Sequence, residues 1–141
     1  MRAIGLMSGT SLDGVDGVLA NLEAQAPDGR IRARRRRTFH RPYPPDLIGA
    51  LLPLQSRSAA SLEVLADLED ALAEAYATAV AELRRPDPDA QVRCIACHGQ
   101  TAWHRPPQGA RPGRSLQRGN AAKLARRTGV AVVSSSAASG P

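Results

Sequence analysis

The chain has 141 residues, 43% of them hydrophobic and only 3% aromatic, and its net charge is +6. That suffices for one compact domain with a core of Leu, Val, Ile and Ala, and it excludes wholesale disorder. No apolar run approaches the roughly 20 residues of a membrane span, and Met1 leads into a strand-like pattern without the basic, apolar and small-residue parts of a signal peptide, so a cytoplasmic location without membrane partners is expected.

Taken in chain order, Ala3 to Met7 and Val15 to Ala20 are short apolar runs separated by small, polar, glycine-punctuated residues. They read as strand, turn, strand. Pro27-Asp28-Gly29 marks a turn, and a third strand is expected around Thr38 to His40, stopping before Pro42. Asp46 to Leu52 reads as a short helix closed by Pro53. Leu62, Leu65, Leu68, Leu72, Tyr76, Val80 and Leu83 recur at three- and four-residue steps. They predict a helix from Ser61 to about Leu83, with Ser61 as N-cap, ended by Pro86 and Pro88.

Val92 to Cys97 follows as a buried strand, then a loop rich in Gly, Pro and Arg from His98 to Arg114. Ala121 to Arg127 reads as a helix capped by Asn120 and stopped at Gly129, and Val130 to Val133 as a last strand. The order predicts an α/β layer fold with a mixed sheet and flanking helices.

Charge is unevenly placed. Residues 1–89 carry 11 basic and 13 acidic side chains, whereas residues 90–141 carry 8 basic and none acidic. Of the 19 basic residues only Lys123 is lysine, so the arginine bias also fits a nucleotide preference of the gene. The run Arg34 to Arg37 reads either as a nucleic-acid patch or as a solvated sheet edge, and the edge is the commoner outcome. Cys94 and Cys97 form a lone CxxC. In a strand, residues three apart point to opposite faces, which favours two small core residues over a redox pair or half a metal site.

Three clusters carry chemistry. Ser8-Gly9-Thr10-Ser11-Leu12-Asp13-Gly14-Val15-Asp16 combines glycines that admit a close ligand, hydroxyl donors, and carboxylates suited to hydrated magnesium. A plain polar hairpin turn is the alternative. A Cβ-branched side chain at Gly9 is expected both to block a phosphate and to strain the turn. The second cluster is Cys97-His98-Gly99-Gln100-Thr101 with Trp103-His104, at the carboxyl end of a strand, where ligands bind in open α/β sheets. His98 serves either a sugar or the loop itself, and Trp103 either a sugar ring or the core. Ser115-Leu116-Gln117-Arg118-Gly119-Asn120 is the third, just before a helix start.

Together these segments resemble the anhydro-N-acetylmuramic acid kinase family. Ile4 to Asp16 is similar to its opening segment, Cys97 to His104 to its second signature, and Ser115 to Asn120 to its third, in which Arg118 stands where the family usually has Ile. The resemblance spans residues 3 to about 134 and implies an actin-like, ribonuclease-H-like ATPase fold. It implies ATP and Mg2+ as cofactors and a sugar substrate. The family uses ATP and water to open 1,6-anhydro-N-acetylmuramic acid and leave the 6-phosphate, in peptidoglycan recycling. Gly9, Thr10, Ser11, Leu12, Asp13, Gly14, Val15 and Asp16 would grip the ATP phosphates, with Asp13 or Asp16 holding the metal through water. His98, Gly99, Gln100 and Gln117 would border the sugar, and full-length relatives would be homodimers.

After Val133 the family runs on to a catalytic Asp, whereas no Asp or Glu follows Asp89 here. The chain is therefore expected to be the amino-terminal part of the domain (1–134) with a divergent tail (135–141), lacking the second domain, without independent catalysis, and with an apolar sheet face left bare. A gene that ends early would account for this. A levoglucosan-type kinase is the alternative enzyme. A basic phosphate- or nucleic-acid-binding module is the alternative of another kind, but base-reading motifs are missing and no nucleic-acid partner is expected.

Overall fold

The computed structural model describes residues 1–25, 29–56, 60–88 and 91–134. Its elements run β1 (Arg2–Ser8), β2 (Gly14–Gln25), β3 (Arg30–Pro42), α1 (Pro45–Gln55), α2 (Leu62–Arg84), β4 (Val92–Arg105), β5 (Arg114–Arg118), α3 (Ala121–Thr128) and β6 (Val132–Ser134). The sheet order is β3-β2-β1-β4-β5, with β6 pairing β4. Pairs β1–β4 and β4–β6 are parallel and the others antiparallel, so the sheet is mixed, as expected. Pro27, Asp28 and the tail 135–141 lie outside the described residues.

Alternation along the strands divides the sheet into two faces. Ile4 and Leu6 of β1, Val15 and Leu19 of β2, and Ile95 and Cys97 of β4 are buried in one cluster with Leu51 of α1, Leu72, Tyr76 and Leu83 of α2, and Leu124 of α3. The helices cover this face. The opposite face carries a shallow open groove of about 840 Å³, lined by residues such as Gly5, Met7, Val18, Thr38, Ala96 and Val133. Met7 and Val133 are more than half exposed, at 55% and 64%.

The caps form where the sequence places them. The Val64 N–H donates to Ser61 Oγ at 3.2 Å, and the Lys123 N–H donates to Asn120 Oδ1 at 3.0 Å. Gly129 closes α3 in the left-handed region at φ 69°. Along α2 the buried stripe begins at Leu68, and Leu62 is 84% exposed.

Several boundaries differ from expectation. β3 is 13 residues long and not three, because β2 presents it a continuous edge from Gly14 to Gln25. From Arg30 to Arg36, where every side chain of β3 is exposed, backbone pairing extends that hairpin without help from apolar alternation. Arg34, Arg35 and Arg36 stand exposed on this outermost strand, so they form the solvated edge. Pro53 does not close α1, which continues to Gln55. A proline there costs one backbone bond, to the Gly49 carbonyl, and a last turn tolerates that loss. The segment His98 to Arg105 is not loop but the second half of β4, and Arg114–Arg118 is a strand paired with it. The last strand starts at Val132 and not at Val130.

Arg118 finds a partner across the helix layer. Its Nη2 lies 2.6 Å from Glu69 Oε1 of α2, the two side chains being 26% and 14% exposed. The Gly119 N–H donates to the other oxygen, Oε2, at 3.0 Å. An ionic tie between β5 and α2 thus occupies the position where the family usually has an apolar Ile. Removing one partner leaves a mostly buried charge unpaired. Arg118→Ile is expected to lower stability by about 1–3 kcal/mol in urea unfolding, and Arg118→Ile with Glu69→Gln, which removes the unpaired charge and still accepts from the Gly119 N–H, to recover part of the loss. A single variant as stable as the parent would show that the pair contributes nothing.

Candidate functional site

The β1–β2 loop, residues 9–13, projects from the carboxyl end of β1. Its base is anchored in the core. Ser8 is 1% exposed, and its hydroxyl donates to the Gly99 carbonyl at 3.4 Å while meeting the Tyr76 hydroxyl at 2.6 Å. A carbonyl only accepts, so Tyr76 donates in the second bond. Burial raises the Tyr76 phenol far above its usual range and raises that of Tyr43 as well, which keeps both as donors.

At the far side of the loop Leu12 adopts φ 56°, a left-handed conformation uncommon outside glycine. Its side chain, 4% exposed, is sunk in the core and holds that turn. Left-handed turns of this kind bring successive N–H groups toward an anion. Val15 is likewise buried, at 1%, so Leu12 and Val15 have only their backbone to offer a ligand. Gly14 is fixed by packing, since a Cβ there would run into the Arg41 carbonyl oxygen.

Gly9 corrects an expectation. It lies outside the left-handed region, and an added Cβ would meet only Ser11 Oγ, at 3.7 Å. A side chain at this position would not strain the turn. It would occupy space in front of it.

The Ser11 hydroxyl donates to Asp13 Oδ1 at 2.6 Å and holds that carboxyl below its usual range, so Asp13 is charged at neutral pH. Asp16 stands in β2 on the open face, where it accepts from His40 Nδ1 at 2.9 Å. From sequence His40 is expected only as the end of the third strand. Its pairing with Asp16 depends on the register of the β2–β3 hairpin, which apolar pattern does not set.

The second cluster is divided between the two faces. Leu6 pairs with Cys97, but Ser8 pairs with Gln100, so β4 holds an extra residue in a bulge. Gly99 takes φ 78° there, and a Cβ on it would lie 2.7 Å from the Arg118 carbonyl oxygen. His98 lines the open groove together with Asp16 and His40. Its Nδ1 donates to the Gly99 carbonyl at 3.2 Å, which leaves Nε2 as the acceptor of the neutral ring. Gln100 turns inward and is 0% exposed. Its amide donates to the Gly9 carbonyl at 2.6 Å and the Thr101 carbonyl at 3.0 Å, and accepts from the Tyr43 hydroxyl at 3.1 Å. Gln117 is paired with Thr101, and its buried Oε1 has no protein partner. Arg118, the next residue, reaches α2, so alternation directs Gln117 to the His98 side of the sheet.

Trp103 lies further along β4, with the Arg105 guanidinium 5.9 Å from its ring centroid. Cys94 and Cys97 are free thiols. Burial raises the Cys97 thiol above its usual range, which is unsuited to a nucleophile. Among the described residues no three His, Cys, Asp or Glu side chains converge on a metal position, and no helix is long and apolar enough to cross a membrane. The exposed Asp13 carboxylate does suit an outer contact to a hydrated magnesium ion.

The family model for anhydro-N-acetylmuramic acid kinase matches residues 1–137. Relatives named anhydro-N-acetylmuramic acid kinase include one from Thiobacillus denitrificans, 44% identical over 93% of this chain and 33% of its own length. One from Rippkaea orientalis is 38% identical over 95% of this chain and 35% of its own. One from Parasynechococcus marenigrum is 44% identical over 83% and 30%. The chain thus spans about a third of the length of the curated relatives it matches. With its mixed sheet, its helix layer and all three signature segments brought together around the carboxyl end of β1 and the bulge in β4, the chain belongs to the anhydro-N-acetylmuramic acid kinase family, which has the actin-like ATPase fold.

Proposed function

We propose that this chain supplies the phosphate-gripping loop and part of the sugar-lining surface of an ATP-dependent kinase acting on 1,6-anhydro-N-acetylmuramic acid. The reading is carried by one juxtaposition. The loop 9–13, with its hydroxyls and an ionised Asp13, leaves the same end of the sheet at which His98 lines the groove. Thr10 and Ser11 would meet phosphate oxygens through backbone and hydroxyl donors. Asp13 would hold hydrated magnesium, which when bound neutralises phosphate charge. His98 and Gln117 would border the sugar, and Gly99, which makes the bulge, would border it through its backbone. The proposal carries with it a cytoplasmic setting and, for full-length forms, a homodimer.

Opening the anhydro bridge with water needs a general base, whose help typically contributes about 10²–10⁴-fold. No Asp or Glu follows Asp89. In the phosphate loop, Asp13 is committed to Ser11, while Asp16 is paired with His40. The 141 residues alone should therefore bind nucleotide without turning sugar over.

Two measurements test this. In calorimetric titration with ATP and Mg2+, Gly9→Val is expected to weaken affinity by about tenfold or more, the equivalent of a lost charged contact, with the unfolding midpoint unchanged. Unchanged affinity would remove the loop from the nucleotide site. With ATP, Mg2+ and the anhydro sugar, mass spectrometry should find no sugar 6-phosphate from residues 1–141. Product at a rate near that of a full-length relative would show that a base within these residues has been overlooked.

A further inference from the structure

Two glutamines from different elements reach the same loop. Gln100 of β4 donates through Nε2 to the Gly9 carbonyl at 2.6 Å, and Gln55, the last residue of α1, donates through Nε2 to the Thr10 carbonyl at 2.6 Å. Carbonyls only accept, so the NH2 side of each amide must face the loop. For Gln100 this orientation is settled twice over. Its two donors serve the Gly9 and Thr101 carbonyls, and its oxygen receives the proton that burial keeps on Tyr43.

A peptide unit is planar and trans, so the C=O of one residue and the N–H of the next point in opposite directions. Holding the Gly9 carbonyl toward Gln100 turns the Thr10 N–H away from Gln100. Holding the Thr10 carbonyl toward Gln55 turns the Ser11 N–H away from Gln55. Among the described residues, neither N–H donates to a protein backbone acceptor outside regular structure, whereas the Leu12 N–H turns back to Gly9.

We infer that Gln55 and Gln100 are positioning residues that set the Thr10 and Ser11 N–H groups to receive phosphate oxygens, an inference that rests on the phosphate reading of the loop. Pinning two consecutive carbonyls fixes two consecutive donors before any ligand arrives, and preorganised donors are not spent on reordering when charge binds. Helix α1 engages the loop from both of its ends. Gln55 touches it directly, and Tyr43, two residues before the helix, acts through Gln100. The continuation of α1 past Pro53 is what brings Gln55 within reach. Buried Leu47 and Leu51 fix the helix against the core, so its two ends cannot shift independently.

The test is nuclear magnetic resonance on the isotopically labelled 141-residue chain with inorganic tripolyphosphate as probe. Before ligand is added, scalar couplings should pass from Gln100 Nε2 to the Gly9 carbonyl carbon and from Gln55 Nε2 to the Thr10 carbonyl carbon. Tripolyphosphate should then move the Thr10 and Ser11 amide protons downfield. Gln100 is fully buried, so its replacement risks the fold. Gln55→Met at the half-buried end of α1 is the informative variant. It should weaken tripolyphosphate about three- to tenfold, the value of one hydrogen bond to the donor geometry, with the unfolding midpoint unchanged. Couplings absent while both amides still respond to tripolyphosphate would overturn the clamp and leave the phosphate reading standing. Equal affinity in Gln55→Met with couplings present would overturn the positioning role. No response of the parent loop, with couplings present, would overturn the phosphate reading and this inference with it.

Discussion

The close approach of β4 and β5 at Gly99 constrains the whole site. Only a residue without a Cβ fits against the Arg118 carbonyl, and only one that tolerates φ 78° can make the bulge. In an unbroken strand His98 and Gln100 would share a face. The extra residue sends them apart, His98 to the open groove and Gln100 into the core. There Gln100 joins the β3–α1 junction to the β1–β2 loop through Tyr43 and Gly9. One backbone irregularity thus determines both what lines the groove and how the loop is held.

The other half of the support comes from α2. Its Tyr76 hydroxyl meets Ser8 at the root of the loop, and its Glu69 takes both the Arg118 side chain and the Gly119 N–H at the end of β5. Such polar ties in a mostly apolar layer are expensive unless every partner is present, which gives them geometric specificity. On the helix face of the sheet these ties sit beside an apolar cluster that includes Leu72, Leu83 and Ile95. The groove face remains open over the row of Thr38, Val18, Gly5, Ala96 and Val133.

Much of this was legible in the sequence where one physical signal dominates. Apolar spacing located α2, Ser61 and Asn120 located the caps, and small polar residues after an apolar run located the loop. Other features rest on pairing between distant segments. β3 is made of exposed arginines and forms because β2 offers an edge, so its length had no hydrophobic signature. The second half of β4 was hidden among Gly, Pro and Arg. The inward turn of Gln100 could not be read without the bulge, and Gln55 stood beyond a proline that appeared to end its helix. A polar residue following a glycine inside a strand signature was the available hint, since glycine there marks a bulge.

The central claim is that the backbone of residues 9–13 receives phosphate at its outward-facing donors. The most direct measurement is a proton–phosphorus correlation spectrum of the labelled chain bound to ATP and Mg2+. The account predicts cross-peaks linking ATP phosphorus to the Thr10 and Ser11 amide protons. Cross-peaks confined to basic side chains elsewhere, such as Lys123, Arg126 and Arg127 around Asp70, with none in the loop, would contradict it.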